Sequence, residues 1–416
     1  MIKVSIVSIG NELLNGQTVD TNAAYLGGRL FSIGIPVVSC FAVGDDVNAI
    51  VRSLTRAGDE ADVILATGGL GPTDDDLTRQ AFAELLGSEL QLDNELLERI
   101  ENFFSSRNLQ MSANNRVQAY IPAGAKALAN NLGTAPGIMA EMKGKLFAAM
   151  PGVPVEMKAM FEESFFERLK QLAADSGQLK TVVRKLRCFG AGESTIAELV
   201  GDVCRRDRNP LINCTVEYGV ITLHIIATAE NKEKALQMVG KDEELLRGIL
   251  GELVYGTGEQ TLAEVAGQKL AEQEKTVAVA ESCTGGTLAK LLTDIPGASR
   301  YFTYGWVTYS NEAKSSELDV PADLIEKYGA VSEQVAEAMA QGGRKKADTD
   351  FAIAITGIAG PTGGTEQKGV GLVYISIGTD SGCETRAFNF SHDRQFIRLR
   401  AAQTALNMLR LKLQID

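Results

Sequence analysis

The sequence predicts an α/β protein in three parts: a doubly wound N-terminal domain, a small α+β linking module and a second α/β domain. Near-continuous apolar runs alternate with helix-like stretches at both ends of the chain, as expected for strands buried on both faces of a largely parallel sheet. Glycine, 42 of the 416 residues, falls just after those runs, where strand-to-helix loops form a binding crevice. At about 150 residues per domain, the length allows two or three cores.

Composition narrows the chemistry before any motif is read. Hydrophobic residues make up 45% and charged residues 23%, the values of an ordinary globular protein. No run approaches the ~20 apolar residues of a membrane span, and the N-terminus lacks a signal layout, so a cytoplasmic chain with no membrane partner is expected. The net charge is −12 and the longest basic stretch is Arg344-Lys345-Lys346, which disfavours direct nucleic-acid binding. Histidine occurs only at His224 and His392, and the six cysteines form no CxxC pair, which disfavours Cys/His zinc sites and a disulfide framework. His224 alternates with apolar neighbours and reads as a strand residue. Hydrolytic chemistry must therefore rest on carboxylates, lysine or an oxygen-bound metal.

In chain order, the first domain (residues 1–171) has strands at 4–9, 63–66 and 146–150 and a helix at 77–86. The strands lead into Gly10-Asn11-Glu12, Thr67-Gly68-Gly69-Leu70-Gly71-Pro72-Thr73-Asp74-Asp75-Asp76 and Pro151-Gly152-Val153-Pro154. The module at 172–255 has a strand at 181–189, a glycine turn, a short helix at 195–204, two strands flanking Glu217-Tyr218-Gly219 and a charged helix at 231–249. It carries no concentrated chemistry and reads as a spacer or packing unit, with a substrate lid as the other reading. Tyr255-Gly256-Thr257-Gly258-Glu259 reads as a linker. The last domain (258–416) has a helix at 262–272, strands at 276–280, 301–308, 350–355 and 370–377, and a closing helix at 393–411.

Two loops share the pattern T-G-x-x-G-P-T, at residues 67–73 and 356–362, with no similarity in their flanks, so the turn is convergent. Their glycines let backbone N–H groups approach a ligand closely. The first continues into Asp74, Asp75 and Asp76; three consecutive acids cannot all point one way, but two of them can share a site with carboxylates from neighbouring loops, with Glu12, Asp20, Asp45 and Asp46 as candidates, an oxygen-only set suited to Mg²⁺ or a similar hard cation bridging phosphates. The alternative is that the three aspartates cap the following helix, and at least one is expected to do so.

Ser282 lies in the turn Glu281-Ser282-Cys283-Thr284-Gly285-Gly286, at the mouth of a strand and before a helix. A nucleophilic serine needs a base; Tyr309 and Lys314, in Val307-Thr308-Tyr309-Ser310-Asn311-Glu312-Ala313-Lys314, are the nearest substitutes for histidine. A desolvated lysine loses its charge and takes a serine proton directly or through a tyrosine hydroxyl. The plainer alternatives are a capping serine and a solvated lysine.

These segments, with Gly329-Ala330-Val331-Ser332-Glu333 and Thr356-Gly357-Ile358-Ala359-Gly360-Pro361, resemble the CinA family (competence/damage-inducible protein A). The final domain resembles its nicotinamide-nucleotide amidase domain. The first, through Gly10 to Gly16, Asp20-Thr21-Asn22, Thr67 to Thr73 and Pro151 to Pro154, resembles its molybdopterin-binding-like domain. The resemblance implies deamidation of nicotinamide mononucleotide, with Ser282 as nucleophile activated by Tyr309 and Lys314. Thr284, Gly285 and Gly286 would supply the oxyanion donors; Asn311, Thr356, Gly357 and Gly360 would bind the nucleotide, and Arg394 or Arg398 its phosphate. It further implies an N-terminal ADP-ribose pyrophosphatase, with Gly68, Gly69, Gly71 and Thr73 holding substrate and a divalent metal such as Mg, Mn or Co on the carboxylates. No cofactor is implied for the amidase; potassium is a further candidate ion, and a homodimer the implied assembly. Rival readings are a non-catalytic pterin- or nucleotide-binding protein tied to competence or DNA repair, and a metal-dependent nucleotidyl or pterin-processing enzyme with an inert last domain.

Overall fold

A computed structural model describes residues 2–175 and 179–415. The chain folds as two compact units, one of residues 1–182 and 227–237 and the other of residues 183–226 and 238–416.

The first unit is organised by a six-stranded sheet in the order Val37–Val43, Val4–Ile9, Val63–Thr67, Lys145–Met150, Gly137–Met142, Lys126–Leu128. The first four strands are parallel and the last two antiparallel. Val4, Ile6 and Leu65 pack with Leu26, Leu30 and Phe161 on one face, and Val7, Ile64 and Ala66 with Ile50, Leu54 and Phe82 on the other. Full burial of such side chains stabilises by about 1.5–3 kcal/mol each. Both faces are covered, as the continuous apolar runs predict. The antiparallel edge departs from the parallel sheet that those runs predict. Its cause is a two-residue hairpin at Lys143 (φ 53°) and Gly144 (φ 74°), where both central residues are left-handed as the tightest β-turn requires.

The second unit holds a five-stranded sheet in the order Phe302–Val307, Val277–Glu281, Phe351–Gly357, Leu372–Thr379, Gly382–Asn389, its first three strands parallel and the last two antiparallel. Gly382–Asn389 is an edge strand of mixed polarity with none of its residues fully buried, so no apolar run announces it. The helix Arg394–Ile415 packs its Ile397, Ala401, Ala405 and Leu409 into the core beneath this sheet.

The middle module forms a four-stranded sheet in the order Leu211–Glu217, Val220–Ala229, Lys180–Cys188, Val254–Thr257. The stretch read as a linker is thus partly a strand. Val254–Thr257 pairs antiparallel with Lys180–Cys188, and the register shifts between Val254 and Gly256, so this glycine marks a bulge instead of a flexible tether. Within the second unit the last helix is hydrogen-bonded to this module: Arg400 donates to the Gly219 carbonyl (2.7 Å) and Arg410 to that of Glu252 (2.7 Å). Among the described residues no helix is long and apolar enough to cross a membrane.

Candidate active sites

Ser282 follows directly on the strand Val277–Glu281, and its amide extends the ladder by donating to the Ile355 carbonyl (2.9 Å). Lys314 comes from the helix Asn311–Leu318, whose start is fixed by the Ser310 hydroxyl accepting from the Ala313 amide. The two side chains meet: Lys314 Nζ lies 3.1 Å from Ser282 Oγ, with 1% and 8% of the residues exposed. The amine also donates to the Thr308 carbonyl (2.9 Å), with the carbonyls of Tyr309 and Ser310 at 3.4 and 3.5 Å. Burial pushes the lysine pKa below its ordinary value, with Cys283 and Glu312 opposing only in part. Lys314 is therefore not a solvated surface lysine, and no side-chain cap to the next helix runs through Ser282.

Tyr309 is placed differently from expectation. It is 60% exposed, and its hydroxyl accepts from Arg394 (2.9 Å) while its carbonyl, not its hydroxyl, faces the amine. A proton relay through the phenol is therefore not built, and the lysine reaches the serine directly.

The turn after Ser282 is held from within. Glu281, fully buried, accepts from the amides of Gly286 (3.1 Å), Leu288 (3.0 Å) and Ala289 (2.8 Å), the orphan donors at the head of the helix Thr287–Thr293. The Gly285 amide donates to the Ser282 carbonyl (3.1 Å). The expected oxyanion donors at Gly285 and Gly286 are thus already committed, which leaves the amides of Cys283 and Thr284 for that role. Thr284 itself is fully buried, and its hydroxyl has no partner among the described residues.

Arg398 and Arg394 also act on loops. Arg398 clamps the Thr284 carbonyl through Nε (3.1 Å) and Nη2 (2.7 Å), and Arg394 holds the Gly360 carbonyl (2.8 Å). Thr356 donates to the Ala330 carbonyl (2.7 Å), Gly357 leaves no room for a Cβ beside the Leu372 carbonyl, and Asn311 is exposed at the start of its helix. Gly285 has φ +57°, and a Cβ there would come within 3.0 Å of Arg398 Nη2. Gly285→Ala is expected to lower stability by about 1–2 kcal/mol, read as a shift of the urea midpoint at constant slope.

In the first unit, a cavity of about 380 Å³ opens over the strand ends, lined by Gly68, Gly69, Gly71 and Thr73 and by the carboxylates of Glu12, Asp45, Asp75 and Asp76. Burial raises the Asp45 carboxyl pKa, the Asn11 amide (2.9 Å) opposes this, and the negative charges of Glu12, Asp75 and Asp76 raise it further. The structure does not bring the whole predicted set together. Asp20 caps the helix Thr21–Ser32 by accepting from Ala23 (2.9 Å), and Asp46 caps Val47–Glu60. Asp74 is exposed and does not line this cavity.

None of the three consecutive aspartates caps the next helix, contrary to expectation. Thr78–Leu86 begins after Leu77 with no side-chain cap, while Asp76 folds back onto the amides of Gly71 (2.7 Å) and Thr73 (2.9 Å) and the Thr73 hydroxyl. The loop closes on its own acid. The Gly68 amide donates to the Met150 carbonyl (3.0 Å), so neither it nor that of Gly71 is free for a ligand. Buried Arg79, which sequence reasoning missed, holds the loop from behind through the carbonyls of Leu70 (2.7 Å) and Gly71 (2.6 Å); burial lowers its pKa to about 10.

Among the described residues no group of three or more His, Cys, Asp or Glu is arranged to hold a metal ion. An all-protein cage is absent there, but one or two carboxylates facing a polar cavity fit a Mg²⁺-like ion that keeps its waters and binds with substrate phosphates.

Residues 259–413 match the family model described as CinA C-terminal domain, residues 5–171 the probable molybdopterin binding domain, and residues 183–256 the damage-inducible protein CinA KH domain. A CinA-like protein of Dictyoglomus thermophilum is 42% identical over 98% of this chain and 98% of its own. Two solved structures align with parts of the chain. The protein CinA with unknown function from Thermoplasma acidophilum is 34% identical over 40% of this chain and 97% of that one (TM-score 0.38). The competence/damage inducible protein CihA from Agrobacterium tumefaciens is 39% identical over 37% and 93% (TM-score 0.36).

Proposed function

This chain belongs to the CinA family, and from that premise we propose that its last domain hydrolyses the carboxamide of nicotinamide mononucleotide to nicotinic acid mononucleotide and ammonia. The observation that carries the reading is the buried contact of 3.1 Å between Lys314 Nζ and Ser282 Oγ. Burial lowers the amine's pKa and makes its neutral form more accessible. Neutral Lys314 takes the Ser282 proton as the serine oxygen bonds to the carboxamide carbon. The charge on the carboxamide oxygen falls to the amides of Cys283 and Thr284. The C–N bond then breaks as Lys314 returns the proton to nitrogen, and ammonia leaves. Water adds to the acyl-serine, giving its proton to the same amine, and the serine is regenerated with release of the carboxylate. No metal is required at any of these steps.

For the first domain we propose hydrolysis of the ADP-ribose pyrophosphate in the carboxylate-lined cavity. One or two of the carboxylates Glu12, Asp45 and Asp75, which line this cavity, would hold a divalent cation there with the substrate phosphates, and the ion would neutralise phosphoryl charge and activate water.

The test uses the whole chain with both substrates. Ammonia release from nicotinamide mononucleotide is expected without added metal and unchanged by a chelator. ADP-ribose hydrolysis is expected to fall at least about 100-fold with chelator and to return on adding Mg²⁺. An amidase that dies with the chelator, or the absence of ammonia release under any condition, would reject the serine–lysine reading.

A further inference from the structure

Outside the residues that line either candidate site, Arg400 is a cation without a carboxylate partner among the described residues. It projects from the helix Arg394–Ile415, its guanidinium carbon 4.0 Å from the centroid of the Phe189 ring and its Nη1 donating to the Gly219 carbonyl (2.7 Å). Gly219 (φ +76°) is what makes room for it, because a Cβ there would come to 2.3 Å from Nη1. Among the described residues Arg400 has no carboxylate partner, and its Nε and Nη2 make no hydrogen bond. Burial lowers its pKa with no negative group opposing. A charge so placed is costly until something of opposite sign reaches it.

Beside it lies a cavity of about 460 Å³. Its walls include Phe189, Phe388, Phe390 and Met408, with the polar Thr404 and Asn407 from the same helix as Arg400. Phe388 and Phe390 lie parallel, their centroids 5.7 Å apart at 5°, on and just after the edge strand Gly382–Asn389. Asn407 turns its Oδ1 to Arg410 (2.9 and 3.1 Å), so its Nδ2 is left without a partner among the described residues. Of the other charges on the walls, Arg386 pairs with Glu384, and the negative charge of Glu252 raises the pKa of Arg410 against the lowering by burial.

Unpaired guanidinium donors, an unused amide donor and aromatic walls together describe a receptor for one kind of molecule. We propose that this cavity is a ligand site for a small anion carrying a flat ring. Its carboxylate or phosphate is held by Arg400 and Asn407 Nδ2, and its ring lies against Phe388 and Phe390. Charge-assisted donors supply the orientation and the aromatic walls the apolar burial, and the volume suits a ligand of mononucleotide size or smaller.

Hydrogen exchange of the full chain with benzoate, adenosine monophosphate or inorganic phosphate tests this, because it reports where binding occurs. One of the two ring-bearing anions is expected to protect the amides of 386–390 and 400–411, and which one does so distinguishes a carboxylate from a phosphate ligand. Phosphate alone is expected to protect nothing there. Arg400→Gln is expected to weaken binding at least about tenfold, or 1.4 kcal/mol. Leu411 also lines the cavity, and Leu411→Trp, which fills it and leaves Arg400 in place, is expected to do the same. Protection by neither ring-bearing anion, equal protection by phosphate, or binding that survives both substitutions overturns the proposal.

Discussion

Ser282→Ala is expected to lower ammonia release from nicotinamide mononucleotide by about 10³–10⁴-fold with little change in melting temperature. Lys314→Met should cost a similar factor. The two side chains form one unit, so the double variant should be no worse than either single one. Methionine fills the space of the lysine stem. It removes a buried amine, which favours folding, and a donor to the Thr308 carbonyl, which does not, so stability should change by only about 1 kcal/mol. The pH dependence carries the sign. The base works neutral, so kcat/KM rises with pH through a pKa lowered by burial below the ordinary lysine value. That limb is absent from the residual activity of Lys314→Met. Linkage adds a second readout. Between the lowered folded value and the ordinary unfolded one, the unfolded chain binds more protons, so stability rises with pH across that window; the methionine variant loses the rise. A Ser282→Ala protein releasing ammonia at the wild-type rate would remove the nucleophile from the scheme.

Legibility in the sequence followed burial and periodicity. The strands Val4–Ile9, Val63–Thr67 and Val277–Glu281 were readable because both faces of each are buried, which makes their apolar runs continuous. Gly382–Asn389 was not, because an edge strand needs no such run. Ser282 and Lys314 were found as a pair of residue types, but which group stands between them was not. A phenol and an amine five residues apart look equivalent in sequence, and only the helix start at Asn311 turns Lys314 inward and leaves Tyr309 outside. The aspartates misled for a related reason. Asp76 satisfies the amides of its own loop instead of those of the helix ahead, a choice between local acceptors that composition does not encode. Glu281 gave one overlooked signal: an acid that ends an apolar strand and precedes two glycines has to find donors close by.

Glu281→Ala is expected to be the most destabilising single change at the serine turn. The carboxylate is fully buried and satisfies the amides of Gly286, Leu288 and Ala289; alanine leaves those donors without a partner and removes a negative charge from a helix N-terminus. Hydrogen bonds to a charged acceptor are worth about 1.5–3 kcal/mol each, and they are not additive, so a total near 3–5 kcal/mol is expected. Glu281→Gln separates structure from function. Oε2 accepts from Gly286 and Leu288 and Oε1 from Ala289, so a carboxamide keeps one acceptor and turns its NH₂ on the remaining N–H. Its loss in stability should be smaller, about 1–2 kcal/mol. Yet Ser282 is the next residue, and tilting the turn moves its Oγ relative to Lys314. Below its melting point, the glutamine variant is expected to show kcat about 10–100-fold lower, with KM less affected and the lysine limb of the pH profile retained. Glu281 touches no reacting atom and is a positioning residue. A purely structural role would predict a lower melting temperature with kcat intact in the folded fraction, so this pair of measurements decides whether the turn is held for stability alone or for the serine it carries.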